Sequence, residues 1–205
     1  GNYDITEYTH KYSTGKGIKA KKTIIIDNGV LNIQAKDDGI KAKEALIING
    51  GNINIISGDD GIRSDGYIKI NKGDINIDAF EGIEASVIEI NGGNISVKAI
   101  LNGLNAETKS NMYRQRAAVK INGGYIRINM ITSISEKLLK DSQIEAHMDT
   151  IDTGGELIIN GGTIDIAINS MKEGAIFDCY SESTHYTGGK IIINGKIQNG
   201  FTCAP

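Results

Sequence analysis

The residues able to do chemistry in this chain stand at two fixed offsets around a recurring apolar residue. Two places before it are Lys16, Asp38, Asp60, Glu81, Asn102 and Asp149; one place after it are Lys19, Lys41, Arg63, Glu84, Asn105 and Asp152. Asp37 and Asp59 extend the acidic set. Carboxylates and amide carbonyls, with no Cys or His among them, are the donors that a hard cation such as Ca²⁺ requires. The metal-site candidates are therefore Asp37, Asp38, Asp59, Asp60, Glu81, Glu84, Asn102, Asn105, Asp149 and Asp152. Beside the early acids stand Lys19, Lys41 and Arg63, so that this half also reads as a salt-bridge lattice. Further on the basic residues disappear, and the stretch from Glu81 to Asp152 is the better cation patch, its rival reading being a solvated acidic stripe.

These columns exist because one phrase returns about every 22 residues, as in residues 37–58 and 59–80. It runs acidic, Gly, Ile, charged, small, then apolar-x-apolar-Asn-Gly-Gly, then apolar-x-apolar. Ile18, Ile40, Ile62, Ile83, Leu104, Ile151 and Ile176 align as one inward column. A second set runs from Ile24/Ile26 through Leu157/Ile159 to Ile191/Ile193, and a third from Leu31/Ile33 to Ile164/Ile166. Polar residues such as Asn32, Asn54 and Asn76 separate the inward positions, so the period is two and the segments are strands.

Three short strands per repeat predict an all-β, right-handed, single-stranded parallel β-helix of about seven coils, with three loop insertions. Residues 1–14 read as a polar edge or cap and residues 15–205 as the β-helix domain. A leucine-rich repeat has a similar period, but its L-x-x-L-x-L-x-x-N phrase is absent and no coil has room for a helix. Asp27, Asn49, Asn71, Asn91, Asn122, Asn160 and Asn194 form a turn column that suits stacked amides and a left-handed backbone.

Coils about 4.8 Å apart would set stacked like charges against each other by roughly 3 kcal/mol at an effective dielectric near 20, so each charged stack needs neutralising. The insertions fall at residues 107–117, 132–147 and 178–189, the second containing a short helical pattern at 135–140. Tyr113, Arg114 and Arg116 in the first, and Tyr180 and Tyr186 in the third, are ligand-binding candidates alongside Lys19, Lys41 and Arg63. His185 is read as a surface loop residue.

The chain has 26 Gly, one Pro, no Trp and a net charge of −3, with no nucleic-acid footprint. No stretch approaches the roughly 18 apolar residues of a membrane span. Cys179 and Cys203 lie 24 residues apart, which leaves a disulfide and two buried thiols equally open.

The phrases Asp37-Asp38-Gly39-Ile40, Asp59-Asp60-Gly61-Ile62-Arg63-Ser64-Asp65-Gly66 and Leu157-Ile158-Ile159-Asn160-Gly161-Gly162-Thr163-Ile164 resemble a family of secreted bacterial carbohydrate-binding β-helix proteins. Its founding member is described as binding cellulose and polygalacturonate, with calcium ions on the helix, and its fold is akin to the family-nine pectate lyases. The resemblance implies calcium on the acidic columns and an extracellular or cell-surface location, any signal or anchor lying outside these residues. It also marks a departure: Lys41 and Arg63 stand where the family carries Asp, as if fixed positive charge replaced part of the metal dependence.

The expected function is thus a calcium-assisted, non-catalytic carbohydrate-binding module for plant-type or acidic polysaccharide, with no catalytic residue assigned. With 5% aromatic residues and no Trp, a flat platform for crystalline cellulose is weak. One alternative is a calcium-dependent pectate lyase with Lys41, Arg63 or Lys120 as base; the other is a structural or adhesive surface β-helix.

Overall fold

A computed structural model of the protein describes residues 15–108, 117–131, 148–168, 174–179 and 184–204. Residues 1–14, the helical pattern at 135–140, and Tyr113, Arg114, Arg116 and Tyr180 lie outside them.

The described chain is all-β, and its strands follow the period-two pattern. Asn52–Ser57, for example, alternates exposed or half-buried Asn and Ile with buried Ile53 and Ile55. The strands collect into three sheets. The first contains β1 (Ile18–Ala20), β4 (Ile40–Ala42), β7 (Asp60–Ser64), β10 (Glu81–Ala85), β13 (Leu104–Ala106), β16 (Ile151–Thr153) and β19 (Phe177–Cys179) in that order. The second contains β2 (Thr23–Ile26), β5 (Ala45–Ile48), β8 (Tyr67–Ile70), β11 (Val87–Ile90), β14 (Ala118–Ile121), β17 (Glu156–Ile159) and β20 (Thr184–Tyr186). The third contains β3 (Val30–Ala35), β6 (Asn52–Ser57), β9 (Asp74–Ala79), β12 (Asn94–Ala99), β15 (Tyr125–Met130), β18 (Thr163–Ile168), β21 (Lys190–Ile193) and β22 (Lys196–Gln198). Each strand from β1 to β21 pairs in parallel with strands three places away in sequence, an arrangement compatible with a β-helix.

The register reproduces the inward columns: Ile18 faces Ile40, Ile40 faces Ile62, and Ile83, Leu104 and Ile151 follow. From Ile40 to Ile151 these side chains are fully buried, in a core shared with the inward Ile, Leu and Val of the other two sheets. The glycine ahead of the inward residue in β1, β4, β7, β10 and β13 is demanded by the stacking. A Cβ on Gly61 would sit 2.7 Å from the Gly82 carbonyl oxygen and into Ile77, so a side chain there meets backbone that cannot yield.

Between the second and third sheets an amide ladder forms. Asn49 donates to Asp27, Asn71 to Asn49, Asn91 to Asn71, Asn122 to Asn91 and Asn160 to Asn122, at 2.7–2.9 Å. Two expectations for this column are corrected. The left-handed backbone belongs to the second glycine that follows, as at Gly51 (φ +103°), because glycine adopts it without steric cost. Asn194 is not a rung: Thr187 Oγ donates to Asn160 at that level, while Asn194 (φ +48°) pairs with the Ile168 backbone.

The last turn also differs from the sequence alignment. Phe177, not Ile176, faces Ile151; Ile191 and Ile193 face Ile164 and Ile166 in the third sheet, and Thr184–Tyr186 takes the second-sheet place opposite β17. His185 and Tyr186, expected in a protruding loop, are therefore strand residues. The cause lies in the chain end. Phe201 packs against Phe177 at 5.1 Å and edge-on to Tyr186 at 6.2 Å, giving Tyr186 an apolar partner that the aliphatic pattern does not announce. Cys179 and Cys203 form a disulfide, Ala204 bridges to Asp178, and β22 lies antiparallel on β21.

Candidate functional site

The middle residue of each first-sheet triplet lies between two inward neighbours, as Lys41 lies between buried Ile40 and Ala42, so it turns away from the core. Register then sets Lys19, Lys41, Arg63, Glu84, Asn105, Asp152 and Asp178 side by side, one per strand. The row begins basic and ends acidic. A parallel row joins Asp60 to Glu81, and Asn102 and Asp149 stand at the entries to the following strands.

At the basic end, side-chain cations occupy the acidic clusters. The carboxylate oxygens of Asp37, Asp38 and Asp59 converge within 4.8 Å, as do those of Asp60, Glu81 and Glu84. Lys16 pairs with both Asp37 and Asp38, and Lys41 reaches Asp38 at 2.9 Å. Arg63 Nη1 lies 2.7 Å from Asp60 and 3.0 Å from Glu84. The salt-bridge lattice thus exists, with Lys16 rather than exposed Lys19 as its first cation, and Glu84 does have a basic partner. Burial alone would raise the Asp38 pKa, but Lys41 and Lys16 outweigh it and hold the carboxyl below its usual range. Asp60 is pushed well above that range by burial, then by Glu81 and Asp59, against the opposing pull of Arg63.

At the acidic end no ammonium or guanidinium enters among the described residues. Asp152 has its pKa pushed up to about 7, first by burial and then by Asp149, Asp178, Glu107 and Glu81. Asn102 and Asn105 are less available than their type suggested. The Asn102 carbonyl accepts the Asp149 amide at 3.0 Å, and the Asn105 amide donates to Glu81 at 3.1 Å. Asp149 in turn accepts the Ala175 amide. Seven of the ten nominated metal residues are buried, the exceptions being Asp59, Glu81 and Asp152, so these columns are not a solvated stripe.

The donor chemistry permits a test of fit for calcium. All candidate groups are oxygen donors, as a hard cation requires. In both convergent carboxylate trios a basic side chain pairs with two of the three acids, whereas the charged groups that raise the Asp152 pKa are all carboxylates among the described residues. The residues that fit are therefore Asp152, Asp149, Glu81 and two that the sequence reading passed over, Glu107 and Asp178. Asp178 was recoverable, since Phe177-Asp178-Cys179 repeats the apolar-Asp-small form of Ile151-Asp152-Thr153.

The two nominated bases on this face are poorly placed for proton abstraction. Lys41 is bound to Asp38, and Asp60 outweighs burial to raise the Arg63 pKa further.

Fold and site together define an all-β protein whose stacked parallel sheets carry a graded row of charge on one face. The chain belongs to the carbohydrate-binding domain-containing protein family, which matches residues 9–200. Neither the curated proteins nor the solved structures compared with it gave a match. A carbohydrate-binding role follows from the family. The disulfide is compatible with an extracellular location, and no helix among the described residues is long and apolar enough to cross a membrane.

Proposed function

We propose that the protein is an extracellular, non-catalytic module, built as a right-handed β-helix of about seven coils, that binds an acidic polysaccharide of the polygalacturonate type with the help of calcium. The observation that carries this reading is the row from Lys19 to Asp178, which sets one charged or amide group on each successive first-sheet strand. Strands repeat at about 4.8 Å, a step comparable with the rise of a sugar residue in an extended glycan.

Lys19 and Lys41 would meet uronate carboxylates directly, and half-buried Arg63 would add charge while holding Asp60 and Glu84 in place. At the acidic end Asp152, Asp178, Asp149, Glu107 and Glu81 would hold calcium, which would supply positive charge for the ligand's carboxylates. The capture of Lys41 and Arg63 in ion pairs favours binding over β-elimination.

Calorimetric titration with polygalacturonate, in calcium and again in chelator, tests the reading, with the absorbance of unsaturated uronates followed in the same mixture. Heat that requires calcium, without new absorbance, is the expected result. Rising absorbance would make the protein a lyase, and a titration without heat in calcium would remove the acidic glycan from consideration.

A further inference from the structure

The face just described opens at its basic end into a groove of about 490 Å³, lined by Lys19, Ala20, Lys21, Lys41, Lys43 and Asp65. We infer that this groove, in which Lys21 and Lys43 widen the Lys19–Lys41 end of the row, holds an anionic group of a glycan, a carboxylate or a sulfate ester, without any metal. The inference rests on the carbohydrate-binding reading and deepens it by assigning a second mode of contact.

Among the described residues four lysines line the groove against one carboxylate. Lys19 faces Lys41 in the strand register, and the Lys43 amide bonds the Ala20 carbonyl, so that Lys21 and Lys43 follow as a second step beside the first. Lys41 is tied to Asp38. Lys19, Lys21 and Lys43 are exposed and belong to none of the ion pairs among the described residues. Like charges on adjacent strands repel one another, and among the described residues Asp65 is the one carboxylate lining the groove, with no ion pair to Lys19, Lys21 or Lys43. An external anion relieves that repulsion.

Two features define the ligand further. The equivalent positions on later strands are not lysine: Arg63 and Asp65 follow, then Glu84 and Ser86, then Asn105 and Glu107. The site is therefore confined to the first two strands of the sheet, with Asp65 closing one side against further negative charge. Among the described residues no aromatic side chain lines the groove, so unpaired bases of a nucleic acid would have no stacking surface there, and a duplex could be held only through its phosphates. Anionic substituents on a sugar chain need only the ammonium groups.

The test is a titration in excess chelator, which silences any calcium bridge, using polygalacturonate, a sulfated galactan, a neutral galactan and duplex DNA. The wild-type protein should bind one or both anionic glycans with an affinity that falls as salt rises, and the stronger of the two identifies the substituent. Lys21→Gln/Lys43→Gln, changes at exposed positions, should weaken that binding roughly tenfold at low salt and leave the melting temperature unchanged. Unchanged affinity in the double variant would overturn the inference. So would equal binding of the neutral galactan, or DNA binding of the same strength with the same loss on substitution, since that would show unselective polyanion capture. Calcium-dependent heat with none in chelator sinks this inference alone. Heat in chelator that calcium does not increase supports it and sinks the calcium-assisted reading; absence of glycan binding in both conditions overturns both.

Discussion

Asp152 is a carboxyl group placed among carboxyl groups, and its behaviour with pH follows from that. Its pKa in the folded chain, about 7, lies above the 3.8 of an ordinary aspartate in an unfolded chain. Between those values the folded state binds the extra proton, so the contribution of this group to stability is full below pH 4 and is lost as pH rises through 7. A cation must displace the same proton. Calcium affinity, measured by titration between pH 5.5 and 8, should therefore rise with pH and level off above 7. Asp152→Asn should flatten that profile, lower the affinity, and make the calcium-free protein more stable at pH 8 than the wild type. Arg63 is the converse case, a cation among acids. Arg63→Gln leaves Asp60 and Glu84 without their guanidinium and should cost about 3 kcal/mol in urea unfolding at pH 7. The loss should shrink as pH falls, because the raised pKa of Asp60 lets it take up a proton, and so lose its need for the guanidinium, at a higher pH than an ordinary carboxyl would.

Single elements are specified here by very few positions. Gly61→Ala would drive a methyl group against the Gly82 carbonyl and Ile77, and a loss of about 2–3 kcal/mol in thermal or urea unfolding is expected. Asn91→Ala would remove donations to Asn71 and Glu89 and leave Asn122 without its acceptor, costing about 1–3 kcal/mol by the same measurement. The strands carrying the Asp-Gly-Ile and Asn-Gly-Gly phrases were legible in the sequence because each turn meets the same contact with its neighbour, so both phrases return at a fixed spacing. Their alternation also fixes which side chains face inward, and with it the charged row from Lys19 to Asp152. What could not be read was the final turn. Ile176 and Phe177 are both apolar, and only the hydrogen-bond register with β16 selects Phe177. Thr184-His185-Tyr186 has no aliphatic pattern at all, and its place depends on Phe201, which lies beyond it in the chain. The site was partly legible for a related reason. Residue type identified the acids, but which of them a lysine or arginine neutralises depends on the reach of long side chains between strands. Lys16 and Arg63 decide that, and no alignment shows it.

At the scale of the molecule, nearly all pairing is between one turn and the next, so local losses accumulate along the stack rather than spreading across a single centre. The disulfide closes a separation of 24 residues at the end of the described chain. Cys179→Ala/Cys203→Ala should lower stability by about 3 kcal/mol, and amide exchange should speed up first in β19 to β22. Sheets that end in bare strands invite the edge of another molecule, and here the two ends differ. β1, β2 and β3 each have one strand neighbour among the described residues, with Ile25 and Val30 exposed nearby. At the other end β22 reverses direction on β21, and Ala204 crosses to β19. A second copy arriving there meets a reversed edge in the third sheet, while β20 of the second sheet keeps one strand neighbour among the described residues. In the third sheet, then, the hairpin from β21 to β22 turns a parallel edge into a reversed one, so an incoming strand cannot extend that sheet in the same sense and register as the turns before it.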